Sequence, residues 1–126
     1  LSRLLNVSME EIIDNREKYA RITSQTFECI TVLKGHKTIV TDGEKIFINS
    51  SGNSALAKAG SGDVLTGFIS GLLAQKMLPI DAAVLGVFLH GLAGDIASED
   101  FTKYSVFASD IIDYLPFAIK ELIADD

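Results

Sequence analysis

Apolar and polar residues alternate along the chain in a pattern that predicts one helix, then three strands, then a series of helices. Ser8 and Glu11 have the spacing of a capping box, a hydroxyl followed three residues later by a carboxylate, so a helix begins there. Asp42-Gly43 predicts a hairpin turn, because such turns need a positive φ. The predicted elements here are a helix from Ser8 to about Thr23 and strands over Cys29–Leu33, Thr38–Thr41 and Lys45–Asn49.

The rest of the chain has helical periodicity after a loop of small residues, Ser50–Gly60. Pro79 begins the second of these helices, at a position where a missing N–H costs little. This helix is apolar on nearly all sides, which predicts a central position in the fold. The predicted helices are Ser61–Gln75, Pro79 to about Ser98, and Asp110–Ala124 with Ser109 as N-cap. Strands followed by helices are compatible with an α+β fold and also with the closing part of a layered α/β sheet.

Composition narrows the classes of function. The 126 residues predict one domain with a real core, since 48% are hydrophobic and 22% are charged. A net charge of −6 argues against nucleic acid and against a membrane as partners, because both need a basic surface. No apolar run is expected to reach the roughly 18 residues of a membrane helix. The single cysteine, Cys29, is predicted to be a packed core thiol and favours a reducing cytoplasm.

The most informative segment is Gly60-Ser61-Gly62-Asp63, at the start of a predicted helix. Glycines let the backbone turn sharply and approach a ligand closely. The N–H groups at a helix N-terminus point at one spot, where the helix dipole favours negative charge, so the loop predicts an anion hole. Asp63 would stay ionised beside that hole and could act as a general base. Spacing alone leaves a simpler interpretation open, namely a turn followed by a helix-capping acid.

A second segment, Lys34-Gly35-His36-Lys37-Thr38, follows the first predicted strand. It combines a tight turn with ammonium groups and a hydroxyl, which suits a phosphate, and it is also compatible with a solvated hairpin end. His36 is interpreted as a surface residue rather than a metal ligand.

A third segment, Leu89–Asp95, places glycines inside an apolar helix, where each costs about 1 kcal/mol relative to alanine. Gly86, His90 and Gly94 share one helix face, so close helix packing is the favoured explanation. Contact of His90 and Asp95 with a ligand is the alternative.

In this order, the three segments resemble the C-terminal half of the ADP-dependent NAD(P)H-hydrate dehydratases, within the ribokinase-like superfamily. The residues that carry the resemblance are Val32–Gly35, Thr38, Asn49–Asn53, Ala59–Gly67, Gly71–Gln75, Gly86, Leu89–Asp95, Ala108–Ile112 and Leu115-Pro116. The resemblance implies a ribokinase-like layered α/β sheet, of which residues 1–126 form a single partial domain, the C-terminal portion with strands followed by a helical layer. Ser61 stands where the family usually has Thr, and Lys58 adds a charge in a segment that is usually richer in Pro and Gly.

The resemblance also implies a function, a lyase reaction in nicotinamide nucleotide repair. Family members remove water from hydrated NADH or NADPH and consume ADP (or ATP), and Mg²⁺ accompanies the nucleotide phosphates. By motif position, Gly60, Ser61 and Gly62 form the anion hole, while Asp63 contacts the hydrate and acts as the catalytic base. The residues implied to contact the adenine nucleotide are Lys34, Gly35, His36, Lys37, Thr38 and Gly62. No residue is assigned to a metal, and a cytoplasmic homo-oligomer is expected.

Two other functions stay open. A ribokinase-like ATP-dependent kinase of small molecules, such as hydroxymethylpyrimidine or a thiazole, would use the same anion hole and base. Leu89–Asp95 and the tail at Ala108–Asp110 favour the dehydratase over this kinase. An inactive interaction fragment is the third possibility. Because the chain begins at Leu1 and family domains are about twice as long, we expect a fragment with little or no dehydratase activity of its own.

Overall fold

The computed structural model of the chain describes residues 1–57 and 60–124. The chain divides into two compact units, Leu1–Asn49 and Ser50–Asp126. The first unit contains a three-stranded sheet with helices, and the second is helical. The strands therefore precede the helices of the second unit, which is the order of elements that the sequence predicts. That residues 1–126 belong to a single partial domain stays a prediction.

The first unit is built around an antiparallel sheet in the order β1-β2-β3. Its elements are α1 (Ser2–Leu5), α2 (Met9–Asp14), α3 (Arg16–Phe27), β1 (Thr31–Leu33), β2 (Ile39–Thr41) and β3 (Ile46–Ile48). Val40 in the central strand pairs with Val32 of β1 and with Phe47 of β3. All three residues of β2 are buried, and α3 contacts both β1 and β2. The sheet and α3 therefore form the core of this unit.

The single helix predicted from Ser8 to about Thr23 is two helices in the structure. Ser8 Oγ accepts the Glu11 N–H at 3.1 Å, as the capping box predicts. Asn15 then ends α2, with φ −138° and ψ 50°. Its side-chain Nδ2 donates to the Glu11 carbonyl at 3.1 Å, and its N–H donates to the Ile12 carbonyl at 3.1 Å. An asparagine side chain that bonds to the preceding turn competes with continuation of the helix, which explains the break.

Cys29 is exposed, so its prediction as a packed core thiol is wrong. The preceding helix ends at Glu28, whose φ of 51° is left-handed, and β1 begins only at Thr31. Cys29 therefore lies in a connection, because the strand is shorter at its start than the apolar run suggested.

The hairpin between β2 and β3 forms as predicted. Thr41 pairs with Ile46, and Gly43 in the connecting loop has a φ of 103°, which favours glycine. Asp42 Oδ1 accepts the N–H of Glu44 at 2.9 Å and the N–H of Lys45 at 2.8 Å. These two backbone hydrogen bonds favour the ionised carboxylate and lower the pKa of Asp42 below its ordinary value.

The second unit is centred on α5. Its elements are a 3-10 turn (Ser54–Leu56), α4 (Ser61–Ala74), α5 (Pro79–Asp100) and α6 (Ala108–Ala124). Helix α5 contacts α4, α6 and the 3-10 turn. Val64 of α4, Leu89 and Ala93 of α5, and Ile111 of α6 share one hydrophobic core. The predicted central position of this helix is therefore confirmed.

The predicted N-cap of the last helix is wrong. Helix α6 begins at Ala108, and the Asp110 carboxylate accepts the Phe107 N–H at 2.8 Å. A carboxylate at the third helical position can satisfy the N-cap residue's N–H in this way, so Ser109 already lies inside the helix. Pro116 also lies inside it.

Helix α5 is long and apolar enough, by length and composition, to cross a membrane. The expectation that no apolar run reaches this length is therefore wrong. Within the second unit, however, 56% of an 18-residue apolar stretch of α5 is buried. A central core helix has the same composition, so the position of α5 accounts for its hydropathy.

The lowered pKa of Asp42 predicts that the hairpin loop is stabilised above pH 3.8, the ordinary value, and loses that contribution as pH falls through the lower folded pKa. A carboxyl-detected NMR titration should give Asp42 a midpoint below 3.8. Protonation of Asp42 should also change the chemical shifts of the Glu44 and Lys45 amides, which donate to its carboxylate. This change should disappear in Asp42→Asn, which has no carboxylate to protonate. A midpoint at or above the ordinary value would contradict the hydrogen-bond assignment.

Candidate functional site

The N-terminus of α4 has no side-chain cap. Gly60 is the N-cap, with a φ of 87° that favours glycine, and it supplies no side-chain hydrogen bond to the helix. The first N–H groups of a helix lack intrahelical acceptors, so those of this turn can be offered to an anion. Ser61 is buried, Gly62 is half-buried and Asp63 is exposed in the first turn. Lys58 lies outside the described residues.

His90 of α5 contacts Ser61 at two atoms. Its Nε2 lies 3.1 Å from the Ser61 Oγ and 3.1 Å from the Ser61 carbonyl oxygen. A carbonyl oxygen can only accept, so a hydrogen bond from Nε2 to the Ser61 carbonyl requires hydrogen on Nε2. The imidazole is 6% exposed and meets the ring of Phe68 edge-on, with the ring centroids 5.9 Å apart. A buried polar contact thus fastens the first turn of α4 to α5.

Asp95 of α5 holds the loop that follows Ser50. Its Oδ2 accepts the Gly52 N–H at 2.9 Å, and its Oδ1 accepts the Asn53 Nδ2 at 2.7 Å. Asn53 Oδ1 in turn accepts the Ala55 N–H at 2.7 Å, which begins the 3-10 turn. The pair of Asn53 and Asp95 was missed from sequence because 42 residues separate them. The one local signal was Asn53 itself, a residue that favours helix caps.

The glycines of α5 allow this loop and α4 to pack closely against the helix. A Cβ on Gly91 would lie 2.1 Å from the Ser51 Oγ and 2.9 Å from the Gly52 nitrogen. A Cβ on Gly86 would lie 2.6 Å from a side-chain atom of Ile69 in α4. Close packing, the favoured explanation for these glycines, is therefore confirmed. His90 binds Ser61, and Asp95 binds the loop after Ser50. These contacts within the protein agree with a packing role for the Leu89–Asp95 segment.

The predicted nucleotide segment, residues 34–38, is an exposed turn in the first unit, with only Thr38 half-buried. Thr38 Oγ1 donates to the Gly35 carbonyl at 3.2 Å, so this hydroxyl helps to close the turn. Arg16 of α3 donates to backbone carbonyls of the same turn. Arg16 was missed from sequence, because no local pattern marks a contact between residues 20 positions apart.

Comparison with known proteins gives consistent results. A carbohydrate-kinase-type family model described as NAD(P)H-hydrate dehydratase matches residues 1–117. A bifunctional NAD(P)H-hydrate repair enzyme Nnr from Moorella thermoacetica is 39% identical over 124 residues, which cover 97% of this chain and 23% of that protein. An ADP-dependent (S)-NAD(P)H-hydrate dehydratase from Neisseria meningitidis is 43% identical over 99 residues, which cover 78% of this chain and 33% of that protein.

A solved structure is also similar. An ADP/ATP-dependent NAD(P)H-hydrate dehydratase from Bacillus subtilis, crystallised with ATP and Mg²⁺, has a TM-score of 0.89 and 31% identity. The match covers 95% of this chain and 44% of that chain. The predicted α/β fold class is thereby confirmed. The chain spans less than half the length of each of these relatives.

The close packing at Gly91 predicts that Gly91→Ala destabilises the second unit by about 1–3 kcal/mol or more, because the added methyl overlaps backbone atoms. Gly71→Ala is the matched control, since a Cβ there meets nothing within 4 Å in the exposed face of α4. That substitution should raise stability by up to about 1 kcal/mol through helix propensity. Urea unfolding measures both changes, and equal effects of the two substitutions would refute the packing argument.

The Ser61 contact predicts that the His90 Nε2 carries hydrogen. Long-range ¹H–¹⁵N correlation spectra of the imidazole distinguish the two ring nitrogens. Finding the hydrogen on Nδ1 alone would mean that the Ser61 hydroxyl donates to Nε2, and the carbonyl contact would then not be a hydrogen bond.

Proposed function

Because the chain belongs to the NAD(P)H-hydrate dehydratase family, we propose that it supplies part of an enzyme that dehydrates NADH or NADPH hydrate at the expense of ADP. The observation that carries this proposal is the N-terminus of α4, where Gly60 provides no side-chain cap and Asp63 lies in the first turn. Such a turn offers backbone N–H groups to a phosphate and a carboxylate to the group beside it. The names of the similar proteins, an NAD(P)H-hydrate repair enzyme and an ADP-dependent NAD(P)H-hydrate dehydratase, support the same reaction.

Loss of water requires that the hydroxyl of the hydrate become a better leaving group, and the nucleotide supplies the phosphoryl group for this conversion. Asp63 accepts the hydroxyl proton as the new O–P bond forms, and ADP is converted to AMP. The N–H groups of Gly60, Ser61 and Gly62 stabilise the charge that develops on the transferring phosphoryl group. Cleavage of the C–O bond then releases phosphate, and loss of a proton from the neighbouring ring carbon forms the C=C bond of the dihydronicotinamide.

The adenine nucleotide is proposed to contact the exposed turn Lys34-Gly35-His36-Lys37-Thr38. The side chains of Lys34 and Lys37 are exposed and able to reach a phosphate. Among residues 1–57 and 60–124, no three His, Cys, Asp or Glu side chains are grouped so as to hold a metal ion. Mg²⁺ would accordingly be held by the nucleotide phosphates and water, as is usual for this ion.

The proposal assigns the rest of the substrate pocket to residues outside this chain. The chain covers 23% of the Moorella relative and 44% of the solved Bacillus structure, so the isolated 126 residues are expected to show little or no turnover. Large apolar side chains on α6 are exposed, among them Ile112, Phe117 and Ile123. Such a surface suits contact with further protein, and a cytoplasmic homo-oligomer belongs to the same proposal.

The role of Asp63 predicts that Asp63→Asn, in the polypeptide that carries this chain, lowers kcat for ADP-dependent dehydration by about 100-fold or more, since the general base is lost. Nucleotide affinity should change little, because the backbone N–H groups remain. The absorbance of regenerated NADH follows turnover, and calorimetry follows ADP binding.

Asp81→Asn is the matched control, because Asp81 is also an exposed acid in the first turn of a helix. It should leave kcat within about twofold of the wild type. If Asp63→Asn behaved like Asp81→Asn, Asp63 would be only a helix-capping acid. Turnover of vitamin precursors with ATP, in the absence of NADH-hydrate turnover, would instead support a kinase.

A further inference from the structure

Arg16, the first residue of α3, reaches the turn that follows β1. Its Nη1 donates to the His36 carbonyl at 2.8 Å and to the Lys37 carbonyl at 3.4 Å. Its Nη2 donates to the Leu33 carbonyl at 3.1 Å. A single guanidinium therefore binds three backbone carbonyls of one turn. A guanidinium can do this because its donors form a rigid, planar fork.

The turn has a backbone that needs external support. Lys37 has a φ of 57°, a conformation that residues with a side chain rarely adopt. Gly35 has a φ of 149°, and a Cβ added there would lie 3.1 Å from the Arg16 Nη2. Strained conformations of this kind persist when the surrounding structure holds them. Gly35 thus gives the guanidinium room to approach, and the guanidinium holds the turn at Lys37.

The same contacts set the direction of the peptide N–H groups. The described peptide bonds are trans, so each C=O and the N–H that follows it point in opposite directions. Because the carbonyls of Leu33, His36 and Lys37 face Arg16, the N–H groups of Lys34, Lys37 and Thr38 point away from it. Hydrogen bonds to neutral carbonyls also leave the positive charge of the guanidinium in place beside two lysines. Directed donors and local positive charge are what a phosphate requires.

We propose that Arg16 is a positioning residue for nucleotide binding, which acts by holding the Lys34–Thr38 turn in the conformation that binds ADP. The proposal rests on the proposed function, because it takes this turn as the nucleotide-binding segment. The Arg16 side chain donates its hydrogen bonds to main-chain carbonyls of the turn. Arg16 therefore acts through the turn and not on the reacting atoms.

The test compares Arg16→Ala with Arg21→Ala in the polypeptide that carries this chain. Arg21 is an exposed residue of the same helix, so the control removes the same charge and side-chain length. Arg16→Ala should raise the Kd for ADP, and the KM for ADP, by about tenfold or more. At saturating ADP its kcat should stay within about twofold of the wild type, and Arg21→Ala should leave all three values within about twofold.

Arg16→Lys provides a second variant, with a charge but no fork, and it should raise the Kd for ADP by an intermediate factor. If circular dichroism shows that Arg16→Ala does not fold, the comparison rests on Arg16→Lys. A merely structural role would lower kcat through loss of folded enzyme and leave KM unchanged, and that result would overturn the proposal. Equal ADP affinity of Arg16→Ala and Arg21→Ala would overturn it too, with the proposed function intact. If the wild type bound no ADP, the proposed function itself would fail.

Discussion

The buried hydrogen bonds between His90 and Ser61 join the start of α4 to α5, and the arrangement of the second unit depends on them. One surface of α5 makes this contact, admits the preceding loop at Gly91 and binds that loop through Asp95. These residues lie within about two turns of one helix, so the loop and the first turn of α4 are positioned by the same element. Donors fixed in this way need no rearrangement when charge develops on a ligand, which is the basis of electrostatic catalysis.

The protein is acidic, with a formal net charge of −6, and its proposed ligands are anions. The two units meet this requirement in different ways. The N-terminus of α4 offers neutral N–H groups and a helix dipole, which favour an anion without a formal positive charge. The turn after β1 uses formal charge, with Lys34 and Lys37 on the turn and Arg16 behind it.

Local patterns predicted much of the fold, because they reflect local physics. The Asp42-Gly43 hairpin and the central apolar helix follow from backbone conformation and from periodicity, and both are present. The errors arose where a helix or strand ends at a position that the local apolar pattern does not mark. Asn15 breaks a helix, and Cys29 precedes the strand that its neighbours suggested. The contacts of Arg16 with the turn could not be predicted, since they join distant residues and no periodicity reports them.

The central claim is that the first turn of α4 is an anion-binding site. The most direct measurement is a titration of the isotope-labelled polypeptide with ADP and Mg²⁺, followed by the amide resonances of Ser61, Gly62 and Asp63. The account predicts large, saturable shifts at these three amides, with much smaller changes at the start of α5, around Asp81. Shifts absent from the first turn of α4, or no larger there than at Asp81, would contradict it.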